Sequence, residues 1–112
     1  SYEENAEGYF LEYAAMEWFY NRYIQDEADY RNEYAFPLLA EDLSDLPPAT
    51  VLTAGFDPLC DEGTDYAEQL ADAGVPVEHE HFEGMIHGFV SLSEEVESGQ
   101  AAIDYLADQL RA

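Results

Sequence analysis

The chain has 112 residues, 47% of them apolar and 14% aromatic, which fits a single globular domain. Its 26 acidic residues stand against only Arg22, Arg31 and Arg111, with no lysine, giving a net charge of −23. That balance excludes nucleic acid and anionic membrane surfaces as partners, since both require a basic stripe.

The elements follow in chain order. Residues 1–10, SYEENAEGYF, read as an irregular lead-in. Met16, Phe19, Tyr20 and Tyr23 then fall at helical spacing, while Tyr13 and Trp18 lie off that stripe, so the predicted helix is aromatic on more than one face and needs cover on two sides. Pro37 and Pro47-Pro48 break the stretch that follows. Residues 49–55, ATVLTAG, form a short apolar, β-branched run that predicts a buried strand of parallel type. Next comes a predicted helix, DEGTDYAEQLADA, with Tyr66, Ala67, Leu70 and Ala71 on one face and Gly74 at its C-terminal cap. VEHEHFE, residues 77–83, predicts a second strand, and the loop carrying His87 follows. A last helix within 94–111 places Ile103, Leu106, Ala107 and Leu110 on one stripe.

The pattern is α/β: one β-α-β unit framed by helices. A right-handed crossover lays the two strands parallel, so both following loops leave the same edge of the sheet. Open α/β sheets place their ligand sites at that edge. Asp57 and His87, 30 residues apart, therefore become candidate neighbours.

Each also has a structural reading. Asp57 before Pro58 suits a helix start, with the acid as N-cap. Alternatively its carboxylate orients a histidine. His87 is either a packed loop residue or a general base, for which an unperturbed pKa near 6.5 is suited. Gly84 and Gly88 on either side would let backbone approach it closely. His79 and His81 share one strand face but lack a third ligand nearby, so no metal is expected there, and no cofactor is expected elsewhere. The acidic run at 61–68 lacks the central glycine and alternating acids of a calcium loop.

Residues 42–89, with their Leu-Pro-Pro lead-in, DPLCDEG, AGVPV and GMIHGF in order, resemble the hormone-sensitive lipase-like carboxylesterases of the α/β-hydrolase superfamily. Residues 1–35 resemble the cap segment of such enzymes, and 36–112 the C-terminal part of their catalytic domain. The resemblance implies that Asp57 is the acid and His87 the base of a Ser-Asp-His triad. It suggests Trp18 and Phe19 as cap residues over an acyl pocket. The family's nucleophile sits in a G-x-S-x-G elbow. None of Ser1, Ser44, Ser91, Ser93 and Ser98 has those flanking glycines. The expectation is a C-terminal portion of an ester hydrolase, inactive alone, that associates with the missing N-terminal portion or with itself. The alternative is a hydrolase-derived interaction module without chemistry.

Two further expectations come from composition. Cys60 stands alone, so no internal disulfide forms. No run approaches 18 apolar residues and no signal peptide opens the chain, so neither a membrane span nor secretion is expected. The acids are dispersed along the whole chain, which points to the cytoplasm of a halophile, where a Debye length of about 3 Å at molar salt screens self-repulsion.

Overall fold

The computed structural model describes all 112 residues. Helix α1 spans Tyr13–Tyr23, β1 Ala49–Phe56, α2 Cys60–Asp72, β2 Val77–Ile86 and α3 Glu97–Arg111. Short 3-10 turns at Glu27–Arg31, Pro37–Leu39 and Phe89–Leu92 join them. The strands pair in parallel, and α2 makes the crossover.

Alternation along the strands divides the core in two. Ala49 and Val77 face α2, packing with Leu43, Leu70 and Val75. Leu52, Ala54 and Phe82 belong to the other layer, with Phe89 and Ala102 of α3. Helix α2 closes in a Schellman arrangement: Val75 N–H donates to Leu70 O and Gly74 N–H to Ala71 O, both at 3.0 Å. Ala71 itself is exposed, so the buried face of α2 is narrower than its spacing predicts.

Two helical stripes differ from expectation. Helix α3 packs through Gly99 and Ala102, leaving Ile103 at its flank and Leu110 88% exposed. Helix α1 buries only Met16, while Trp18, Phe19 and Tyr23 are exposed. The reason is width. A two-stranded sheet is only about 5 Å between strand axes, too narrow to cover the full apolar arc of a helix. The radius of gyration is 15.2 Å, against about 13 Å for a self-contained domain of this length.

The second strand also extends three residues beyond its predicted end, to Ile86. Register runs evenly from Ala49–Val77 to Ala54–Phe82, then shifts to Phe56–Ile86. Two steps of β1 thus match four of β2, a bulge that changes what lies level at the strand ends.

Candidate active site

The bulge sets the site. Had the even register continued, Asp57 would lie level with Met85 and His87 would project two residues further, roughly 6.6 Å along the strand direction. With Phe56 opposite Ile86, the next residues on the two strands are Asp57 and His87. Gly55 makes the shift possible: a Cβ there would run into the Glu83 carbonyl, 2.7 Å from its carbon and 2.9 Å from Glu83 Cα. The close approach expected of Gly84 therefore occurs at Gly55, because Gly84 has open space around it. Gly88 serves the turn after the histidine, with a left-handed φ of 76°.

His87 Nδ1 donates to Asp57 Oδ2 at 2.9 Å. The other oxygen, Oδ1, accepts the Leu59 N–H at 2.9 Å. Asp57 is buried, and its one carboxylate both stiffens the turn and faces the imidazole. It is not the N-cap, however. Helix α2 begins at Cys60 with Leu59 in the cap position, and Asp57-Pro58 form the preceding turn. With Nδ1 engaged, Nε2 is the ring nitrogen available for proton transfer.

An open, largely apolar groove of about 700 Å³ lies beside the pair. Tyr20, Tyr30 and Phe36 line it from the first 36 residues; Leu52, Leu59, Cys60 and Tyr66 line it from the β-α-β unit. Phe36 stacks on Tyr30 with ring centroids 5.6 Å apart and lies 5.9 Å from Tyr20. Trp18 and Phe19 are not on this lining; Trp18 carries Arg22 over its ring at 3.8 Å and meets Phe19 edge-on. Tyr20 belonged to the helical stripe, but no spacing rule distinguished it from Phe19.

Other polar groups are accounted for. The Tyr2 hydroxyl donates to Glu62, and burial together with that bond raises the Tyr2 phenol above its ordinary range. Burial pushes the Cys60 thiol up, with Asp61 and Asp57 adding to the effect. His79 Nε2 and His81 Nδ1 both meet the Thr53 hydroxyl, at 2.9 and 2.8 Å. No group of three or more His, Cys, Asp or Glu side chains is arranged to hold a metal ion. No helix is long and apolar enough to cross a membrane. Sequence reasoning missed Asn5, which sits buried beneath the Asp57 turn in the lead-in segment. Neither periodicity nor a motif marked it.

A parallel β-α-β unit with an acid after one strand and a histidine after the next is the C-terminal arrangement of a hydrolase sheet, and the comparisons with known proteins agree. The α/β-hydrolase fold family matches residues 1–91, and the chain belongs to it, among the carboxylesterases similar to hormone-sensitive lipase. It is 39% identical over 106 residues to the carboxylic ester hydrolase LipN of Mycobacterium tuberculosis (strain ATCC 25618 / H37Rv), covering 94% of this chain and 28% of that protein. It is 44% identical over 84 residues to an arylesterase of Saccharolobus solfataricus, covering 74% of this chain and 28% of that protein. Among solved structures, a thermophilic carboxylesterase cloned from a metagenomic library, EstE1, superposes with a TM-score of 0.93 at 40% identity, over 98% of this chain and 38% of that one. An ester-hydrolase from the metagenome of Lake Arreo, complexed with a bipyridine phosphonate derivative, gives 0.90 at 45% identity, over 96% and 34%. The chain thus spans about a third of the length of these relatives.

Proposed function

We propose that this chain is the C-terminal part of a carboxylic ester hydrolase and supplies the acid and base of a Ser-Asp-His triad. The observation that carries the reading is the His87–Asp57 hydrogen bond of 2.9 Å beside an apolar groove. His87 Nε2 takes the proton of a serine hydroxyl as the serine attacks the ester carbonyl. Asp57 holds the imidazole with its proton on Nδ1 and stabilises the imidazolium. His87 then returns the proton to the departing alcohol, leaving an acyl-enzyme that water hydrolyses through the same histidine. The nucleophile and the oxyanion donors come from outside these 112 residues. Residues 1–35 act as cap and 36–112 as the end of the catalytic domain, with Tyr20, Tyr30 and Phe36 walling the acyl side of the groove.

The strands support a larger assembly. Strand β2 carries Glu78, Glu80 and Glu83, the charged character of an edge strand. Strand β1 carries no charge at all and has β2 as its only neighbour, which suits the middle of a wider sheet. Its outer edge is the place for the remaining strands of the enzyme. The dispersed acidity supports a high-salt setting.

The test is hydrolysis of p-nitrophenyl esters by the full-length polypeptide. Wild-type turnover that falls by about 10⁴-fold or more in His87→Ala supports the triad. Turnover that survives the substitution overturns it. An in-frame G-x-S-x-G upstream of Ser1 supports the enzyme; its absence favours the interaction module.

A further inference from the structure

We propose that Asn5 is a positioning residue for the acid of this site, holding the turn that aims Asp57 at His87. The inference rests on reading Asp57 and His87 as acid and base.

Asn5 is only 6% exposed. Its Nδ2 donates to Gly55 O and to Asp57 O, each at 3.2 Å. Both partners are carbonyls, so the amide nitrogen must be the atom that faces them. The two carbonyls bracket the end of β1 just where the strand register shifts, between Ala54 and Phe56. A regular ladder cannot fix the backbone there, and Asn5 supplies two donors from outside the sheet. Its neighbours fasten the same point: the Tyr9 ring stacks on Phe56 with centroids 4.8 Å apart, and Ala6 O accepts the first N–H of α1, from Tyr13, at 2.9 Å. Asn5 therefore links the segment leading into α1 to the backbone that carries Asp57.

Asn5 does not line the groove, so it acts through Asp57 and leaves substrate contacts alone. When the turn loosens, the carboxylate spends less time on Nδ1. The imidazolium loses its stabilising partner, and proton uptake by His87 becomes harder. The other titratable groups on the groove are Tyr2, Tyr20, Tyr30, Cys60, Glu62 and Tyr66, and none of them bonds to the Asn5 side chain.

The experiment uses the full-length polypeptide with Asn5→Leu, which keeps the approximate size, removes both donors and adds no charge, and Asn5→Gln, which keeps both donors on a stem longer by one methylene. Expected for Asn5→Leu is a fall in kcat of about tenfold with KM unchanged, since misplacing a catalytic group by a fraction of an ångström costs rate and not binding. The acidic limb of the pH–rate profile moves to lower pH, and the His87 imidazole resonance, followed by proton NMR, titrates at lower pH in step with it. Asn5→Gln shifts the same readouts in the same direction by less. A lower melting temperature with kcat, the acidic limb and the His87 titration all unchanged overturns the proposal and leaves Asn5 a purely structural residue. His87→Ala, run in parallel, tests the underlying reading separately. If it retains turnover, the triad fails, while the NMR titration still decides whether Asn5 governs the Asp57–His87 pairing.

Discussion

Replacing Gly55 with alanine probes the device that makes the site. The added Cβ would lie 2.7 Å from the Glu83 carbonyl carbon and 2.9 Å from its Cα, with the carbonyl oxygen in its path. Ordinary carbon–carbon contacts fall at about 3.5–4.0 Å, so backbone must give by about 1 Å. The obstruction is main chain within a strand, not the far end of a flexible side chain, so relief has to come from moving β2 or undoing the bulge. Overpacking of this kind costs about 1–3 kcal/mol. A displacement of about 1 Å between acid and base costs about 10²-fold in rate. The matched control is Gly84→Ala, one residue along from Glu83, where an added Cβ meets nothing within 4 Å. Alanine is no worse than glycine in a strand, so that change is neutral or slightly stabilising. The assay is the thermal midpoint and kcat of the full-length polypeptide for both variants in molar salt. Equal midpoints and equal rates for the two would refute the claim that a steric approach at Gly55 sets the register.

Further tests follow from the same geometry. Asp57→Asn keeps an acceptor for the Leu59 N–H but presents an amide to His87 Nδ1; kcat falls by about 10⁴-fold with the melting temperature nearly kept, and a collapse of the fold instead would show that holding the turn was its main task. Cys60, its thiol pushed up by burial, reacts with iodoacetamide at pH 8 more slowly than free cysteine; an equal rate contradicts the burial. The Tyr2 phenol is raised above the unfolded value of about 10, so its contribution to stability is complete below that pH and is lost as pH climbs towards the folded value; Tyr2→Phe removes this alkaline component, and an unchanged alkaline transition argues against it. Lowering salt from molar to about 0.1 M lengthens the Debye length to about 10 Å and loosens a chain of charge −23; unchanged far-UV circular dichroism would dismiss the halophilic reading.

Apolar periodicity, turn residues and the handedness of β-α-β crossovers are local or near-local properties, and they carried the sequence a long way. They determined that residues 49–55 and 77–83 pair in parallel around a crossover helix, that Gly74 closes that helix, and that Asp57 and His87 leave the same edge. Stripes misled wherever they assumed cover: Ile103, Leu110, Phe19 and Tyr23 satisfy helical spacing yet remain exposed, because spacing says which side of a helix is apolar and not how wide its partner is. What the sequence could not contain was the two-residue shift at Gly55 that brings Asp57 level with His87, the reach of Asn5 across 50 residues to the backbone beneath the acid, and the choice of Tyr20, Tyr30 and Phe36 over Trp18 and Phe19 as walls of the groove. Each depends on the separation of two backbones or on the packing of segments distant in sequence. Those distances exist only once the strands have met.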